Sequence, residues 1–491
     1  MERHPCVRPW VLVPLLAAIG LLVIPAAVSA QLFAAPAYYD VGASPQDVAT
    51  GDLNRDGTPD LVVANQYSAG VSVLLNDGDG TFGPAVPFPA GSLPLAVAVA
   101  RMDGDMSFDV VASNSGSNTV SVLLNGGAGW LGPPTNYPVG AAPWGVIAED
   151  LNGDGAPDVA VVNHDSDSFW VLLNDGAGVL SFSGSYHAGG AYISPSWIAA
   201  GDFDADEDLD IAVVKNYFNL YFSQGYVQIF TNDGSGHFPA SETIELGFRS
   251  RTPLAADFDG DGDVDLVVSG FVGSSNKICV LENIGGGAFE HYVTYSAGAS
   301  GRAACGDFDF DHDLDVVVSR EDVYGASFAV LLNNGDASFA SPFTVSVGDD
   351  PRGLACADVD VDGDCDVAVA VSGTDRVAVV RSNANPTGVD EHAPWGPVSG
   401  LALYQNRPNP FRAETEVAFD LPAPALAGAR VYTPSGRLVR TLLPVDHREA
   451  GRHVASWDGR DDGGKHVASG VYLCRVVAGR ATLTRQMVLL R

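Results

Sequence analysis

The chain is poor in basic residues. Only 26 Lys and Arg stand against 60 Asp and Glu in 491 residues, a net charge of −34. A phosphate backbone selects basic faces, so this balance argues against nucleic acid as a partner. Cysteine is also scarce. Five remain beyond residue 30: Cys279, Cys305, Cys356, Cys365 and Cys474. The number is odd and no metal-type pair spacing appears, so they read as small core residues and not as a disulfide framework. Catalytic motifs are missing too. There is no Gly-x-Ser-x-Gly, no His-Glu-x-x-His and no Cys–His pair at catalytic spacing. One near miss, Gly459 to His466, puts His466 where a phosphate loop needs Ser or Thr for magnesium. No buried strand leads into it, and it reads as a Gly-rich hairpin turn.

Residues 1–30 stand apart from the fold. Arg3 and Arg8 precede an apolar run from Trp10 to Ile24, and Val28-Ser29-Ala30 supplies small residues for cleavage. The run is short for a membrane span, so a cleaved signal peptide is expected, with no transmembrane segment after cleavage. No Cys follows it, which argues against a lipoprotein. The mature chain is then expected to be secreted, extracellular or on the outer cell surface.

What is plentiful is Gly, 56 residues, with Met down to 4, a balance that fits many short strands and tight turns. An acidic loop recurs about every 50 residues. It reads Asp52-x-Asn54-x-Asp56-Gly-x-x-Asp60 and Asp150-x-Asn152-x-Asp154-Gly-x-x-Asp158. It continues with Asp202, Asp204, Asp206 and Asp210, then Asp257, Asp259, Asp261 and Asp265. The last two copies hold Asp307, Asp309, Asp311 and Asp315, then Asp358, Asp360, Asp362 and Asp366. A seventh, decayed copy has Arg101 in first place, then Asp103, Asp105 and Asp109, with Met106 replacing the Gly. Glu207 and His312 replace that Gly in the fourth and sixth copies, which are expected to bind less well.

Each loop precedes a β-branched run such as Leu61-Val62-Val63 or Ile211 to Val214, which reads as a buried strand. A further strand and a hairpin signal follow, as in Val71 to Leu75 before Asn76-Asp77-Gly78. An aromatic such as Phe82, Phe238, Phe289 or Phe339 is expected to open an outer strand. Seven four-stranded units at this period predict an all-β chain with a seven-bladed β-propeller over residues 31–382. The last unit lacks its fourth strand, and Phe33 to Val41 resembles the missing one. That segment is expected to pair into the seventh blade and close the ring.

These units resemble the FG-GAP, or VCBS, repeats of integrin-α-type propellers over about residues 31–385. An EF-hand would put its closing Glu at position 12 between helices. Here Asp closes at position 9 and a strand follows. Alternating oxygens, a Gly turn and a later carboxylate are what calcium needs, and all-oxygen ligation disfavours zinc. Solvated acidic turns are the plainer alternative, since Asp is common in turns. Six copies in one register favour a structural calcium ion, the decayed loop staying empty. The resemblance implies a further ligand, the backbone carbonyl at loop position 7.

In this family the acidic loops share one face. Residues 31–380 hold ten Lys or Arg, and eight fall in loops expected on the other face: Lys215, Arg249, Arg251, Lys277, Arg302, Arg320, Arg352 and Arg376. That sector could recruit an acidic glycan or a protein carboxylate. Beside it, a long loop from Asn216 to Tyr226 holds Tyr217, Phe218 and Tyr221, and Trp144, Tyr192 and Trp197 come from neighbouring loops. These aromatics either bind a ligand or cap the central channel.

Residues 383–402 read as a Pro-, Gly- and Asn-rich linker. Residues 403–491 alternate apolar and polar residues in short runs, as a small immunoglobulin-like sandwich does. From residue 401 the charge is +5, against −40 for residues 31–400. Tyr404-Gln-Asn-Arg-Pro-Asn-Pro-Phe411, Val431-Tyr-Thr-Pro-Ser-Gly-Arg437, Trp457-Asp-Gly-Arg-Asp461, Ser469-Gly-Val-Tyr472 and Met487-Val-Leu-Leu-Arg491 carry a resemblance to FlgD-like immunoglobulin modules and type IX secretion sorting domains. A sorting role implies contact with the type IX secretion machinery. The sequence thus points to a calcium-binding, non-enzymatic protein of adhesion or glycan or cell-surface protein recognition. The alternatives are a polysaccharide- or ester-acting propeller enzyme, or a spacer without ligand.

Overall fold

Each acidic loop is a corner between two antiparallel strands. The computed structural model describes residues 32–383, less 191, 219–222, 310, 312 and 322–324, and residues 402–489, less 404–414, 422–423, 434–436, 449–450, 464, 468–469 and 479–480. The expected signal peptide, nearly all of the expected linker and the Tyr404–Phe411 motif lie outside the described residues. The chain divides into two compact units, Met1–Thr387 and Gly388–Arg491.

In the first unit a short strand, β1 (Ala37–Asp40), stands ahead of the repeats. In the first repeat β2 (Pro45–Gly51) runs into the loop and β3 (Asp60–Asn65) leaves it. Then β4 (Gly70–Leu74) and β5 (Val86–Pro89) complete a four-stranded sheet in the order β2-β3-β4-β5. The pattern repeats to give seven four-stranded sheets, a seven-bladed propeller.

The apolar runs are continuous because both faces of each second strand are buried. Leu61 and Val63 pack towards the seventh blade, against Val377 and Val379. Val62 and Ala64 point the other way, into the second blade, against Val110 and Ala112. Equivalent clusters fill the remaining interfaces around the ring.

The ring closes as expected. β1 pairs antiparallel with Arg376–Val380, with Tyr39 opposite Val377. The closing strand is shorter than the Phe33–Val41 segment. Phe33 instead makes an isolated bridge to Ser382, and its buried ring meets Phe308, Phe328 and Phe343. The outer aromatics need a similar correction. Phe82 and Phe339 bridge to Asn76 and Asn333 and lie buried ahead of their outer strands, whereas Phe289 does begin one.

The long aromatic loop of the fourth blade is a hairpin extension. Asp210–Phe218 and Ser223–Thr231 pair in register, with Lys215 opposite Tyr226. Its strands reach four residues further than the sequence reading allowed, because the β-branched run does not stop where its polar residues begin.

The second unit holds two sheets. Ala402–Leu403, Thr415–Leu421 and Gly451–Trp457 form one. Leu438–Arg448, Ala425–Tyr432, Gly470–Ala478 and Ala481–Leu489 form the other. Their apolar faces meet around Trp457, Phe419, Val431 and Met487. The stretch at Gly459 is a turn as expected, with Asp461 Oδ1 accepting from the amides of Gly463 and Lys465. No helix among the described residues is long and apolar enough to cross a membrane.

Candidate functional site

The acidic loop does two jobs at once. Its second residue is apolar in every copy: Leu53, Met102, Leu151, Phe203, Phe258, Phe308 and Val359 are all buried. Its ninth residue is a buried Asp that staples backbone. Asp60 Oδ2 accepts from the Leu53 amide at 2.9 Å, and its Oδ1 accepts from the Asn76 amide at 2.8 Å. Asp109 in the decayed loop makes the same pair of bonds, from Met102 and Asn125, each at 2.7 Å. The staple therefore survives where the first ligand position has been lost to Arg101.

The Asn that the sequence presents as a turn residue is an interblade clamp. Asn125 Nδ2 donates to the Leu53 carbonyl of the blade before it at 2.6 Å. Asn174, Asn232, Asn283 and Asn333 do the same to Met102, Leu151, Phe203 and Phe258. Asn76 closes the circle by donating to Val359 at 2.7 Å, and Ser382 Oγ fills the role in the last blade at 3.3 Å from the Phe308 carbonyl. The signal was present in the sequence as an Asn at one position in six of the seven repeats, but a hairpin explained it locally.

The remaining loop oxygens cluster. In the fourth to seventh blades, carboxylate oxygens of Asp202, Asp204 and Asp206, of Asp257, Asp259 and Asp265, of Asp307, Asp309 and Asp311, and of Asp358, Asp360 and Asp366 lie within 4.8 Å of one another. The backbone satisfies some of them: Asp52 accepts from the amides of Asp56 and Gly57, both at 3.0 Å. At the third position of the fourth, sixth and seventh loops one oxygen is left over. Asp204 Oδ1, Asp309 Oδ1 and Asp360 Oδ1 are buried without a hydrogen-bond partner. Burial, reinforced by the neighbouring carboxylates, raises the pKa of Asp204, Asp309 and Asp360, that of Asp309 to about 6. A hard cation would supply the missing partner and reverse the repulsion, so these residues fit one.

The first and third loops, with Asn54 and Asn152, keep the same turn, Asp150 accepting from the amides of Asp154 and Gly155 at 3.2 and 2.8 Å. Asn54 spends its Nδ2 on Asp56 at 2.7 Å. Glu207, in place of the loop Gly, adopts the same left-handed backbone at φ 75° and still donates to Asp202 at 3.1 Å. The fourth loop therefore keeps its shape. His312 is outside the described residues. The decayed loop carries its own cation: Arg55, from the loop of the first blade, bonds the Asp105 carbonyl and Ser107 Oγ and pairs with Asp105 Oδ1 at 3.2 Å. Arg101 stacks over Phe108.

At the other end of the strands lies a cavity of about 490 Å³, lined by residues from all seven blades. Local backbone irregularity builds it. The first strands shift register between Pro45 and Asp47, Pro94 and Ala96, Pro143 and Val146, Pro195 and Trp197, Ser250 and Pro253, and Pro351 and Leu354. Such bulges re-aim side chains. The residues inside them, among them Gln46, Leu95, Trp144, Ser196, Arg251 and Arg352, line the cavity. The sequence signal is a residue directly after a Pro at this point in five of the seven repeats.

Of the proposed ligand residues, Trp197, Arg249, Arg251, Arg302 and Arg352 line this cavity. Arg320 and Tyr217 do not, Tyr221 is outside the described residues, and of Phe218 only the backbone is described. Tyr217 meets the exposed Tyr192 edge-on at 6.4 Å. The tryptophans are less free than expected. Trp144 is stacked on His164 at 4.1 Å, and Trp197 carries the Arg302 guanidinium at 3.9 Å. Arg302 also pairs with Asp47 at 2.7 Å. Burial raises the Asp47 pKa against the opposing pull of Arg302. Lys215 leaves the basic sector altogether: it is buried, with Nζ 2.5 Å from Gln228 Oε1. Arg376 pairs with Asp40 beside the closing strand.

Fold and loops together define a repeat-built β-propeller followed by an immunoglobulin-like module. The chain belongs to the FG-GAP-like repeat family, whose model matches residues 52–112, 101–161, 150–213, 218–268 and 307–369. Residues 406–482 match the FlgD Ig-like domain. No curated protein matches the chain. Among solved structures, BBS1N in complex with ARL6DN is 12% identical, covering 71% of this chain and 97% of that one, with a TM-score of 0.47. A protein from Lactobacillus plantarum is 12% identical over 84% of this chain and 100% of its own, with a TM-score of 0.44. A functionally unknown protein from Desulfotomaculum acetoxidans DSM 771 is 13% identical over 63% and 90%, with a TM-score of 0.41. At that level of likeness they add nothing to the fold described above.

Proposed function

We propose that this is an exported recognition protein that binds a glycan or a cell-surface protein through the axial cavity, with calcium fastening the blades from the opposite end. The observation that carries the reading is the cavity itself. All seven blades contribute to it, and the bulges in the first strands turn charged and aromatic side chains into it. Calcium is supported by the buried third-position oxygens that lack partners, and its place among the loops gives it a structural role. Binding is favoured over polysaccharide- or ester-acting catalysis because Glu321, a buried acid of the cavity, sits between the guanidiniums of Arg251 and Arg352. The FlgD-like module would serve sorting or attachment by the type IX machinery. A spacer without ligand would have no use for the cavity.

A glycan and protein array probed with residues 31–491, in calcium and in chelator, tests the reading. Ligand capture in calcium that weakens in chelator is expected. No capture from either array in calcium would count for the spacer.

A further inference from the structure

We propose that the axial cavity takes a carboxylate-bearing sugar, a uronate unit of an acidic saccharide, and that Arg251 and Arg352 hold its carboxylate. The inference rests on the recognition reading above and names its ligand class.

The four cavity arginines are not equivalent. Arg302 is the most engaged: its Nη1 lies 2.7 Å from Asp47 Oδ1 in an ion pair, the Leu95 carbonyl accepts from Nη2 at 3.3 Å, and Trp197 lies under its plane. It braces the wall. Arg251 and Arg352 instead share the carboxylate of Glu321, at 3.8 and 3.9 Å, near the outer limit of an ion pair. Glu321 is 8% exposed, while the two arginines are 40% and 33% exposed, so the acid sits behind and the guanidiniums face the space. The Nε atoms of Arg251 and Arg352 are buried and have no hydrogen-bond acceptor. Arg352 has one further partner, Asp350 at 3.0 Å. Arg249, over the Phe271 ring, is close enough to Arg251 for their charges to oppose each other. Arg249, Arg251 and Arg352 thus gather guanidiniums on one wall of the cavity in a strongly acidic body.

Such a wall fits an anion. A planar carboxylate matches the fork of the partly exposed Arg251 and Arg352 guanidiniums. A phosphate dianion would face Asp165 and Glu321. The rest of the lining selects a polyol. Gln66, Ser115, Ser194 and Ser196 offer amide and hydroxyl groups, and Trp144 and Trp197 add ring surface of the kind a sugar face packs on. The volume, about 490 Å³, suits a short oligosaccharide segment and lies within the ~300–1,000 Å³ of small-molecule sites.

The test is calorimetric titration of residues 31–491 in calcium with a trigalacturonate, with its neutral trigalactose counterpart, and with a short peptide bearing a free C-terminal carboxylate. The acidic trisaccharide is expected to bind at least about tenfold tighter than either comparator. Arg251→Gln and Arg352→Gln should each weaken it by about tenfold or more, with Arg→Lys at either position recovering only part of the loss. Melting temperatures of the variants serve as the folding control, and the Lys variants carry the test if a Gln variant fails to fold. Equal affinity for acidic and neutral sugars, tighter binding of the peptide, or full affinity in folded variants would overturn the proposal. Capture of a neutral glycan in the array would remove this ligand class and leave recognition standing, whereas an empty array removes the reading beneath it.

Discussion

Asn174 illustrates how much one repeat position can hold. Its Nδ2 bonds the Met102 carbonyl of the preceding blade at 2.8 Å, and its amide is held by Asp158 at 2.7 Å. Replacing it with Ala orphans a buried carbonyl, so Asn174→Ala should lower the unfolding free energy by about 1–3 kcal/mol, read from a urea melt. A loss below the error of the melt would mean the clamp is decorative. Asp109 supplies a test independent of any metal. Burial pushes its carboxyl up to about 6 from an ordinary value of 3.8. The folded state then binds the proton more tightly than the unfolded chain does. Its contribution is complete below the unfolded pKa and is lost as pH rises through about 6. The stability gap between wild type and Asp109→Asn should therefore narrow from about pH 4 to pH 7. A constant gap across that window would contradict the burial argument. At this scale the sequence was read only in part. The loop acids were legible because they recur. The clamp was not, because Asn-Asp-Gly already had a local explanation, and hydrogen bonds to a neighbouring blade leave no trace in a window of ten residues.

Strands and bulges come next in scale. The seven-unit array and its closure were readable, because a β-branched run follows each loop and one strand was missing at the end of the array. β1 supplies that strand, and Phe33 adds a ring to the cluster around Phe308 and Phe328. Removing residues 31–41 uncovers Arg376–Val380 and empties the Phe33 site. The truncated chain should melt sharply lower, followed by circular dichroism, and an unchanged melt would mean the ring closes without β1. The first-strand bulges were not readable. Alternation predicts which face a residue occupies, and a register shift breaks that alternation. Trp144 and Arg352, each directly after a Pro, turn into the axial cavity for that reason. The aromatic loop of the fourth blade failed in the opposite sense. Its polar residues looked like a loop but Asn216–Phe218 and Ser223–Tyr226 are paired in strands, and Tyr217, expected to greet a ligand, does not line the cavity.

Across the whole propeller, charge is sorted by end. The acidic loops gather at one end of the strands, and the cavity arginines gather at the other. On the proposed function, fastening would belong to one end and recognition to the other. The same reading explains why the decayed second loop can persist: Arg55 supplies a fixed positive charge where its neighbours would take an ion. The claim on which both halves depend is that the loops of the fourth to seventh blades are held by calcium. The most direct measurement is differential scanning calorimetry of residues 31–491 in chelator and in millimolar calcium, since extracellular modules of this kind bind with a Kd of roughly 10⁻⁴–10⁻³ M. The account predicts a melting temperature that falls in chelator and recovers when calcium is returned. Superimposable melts in the two buffers would contradict it.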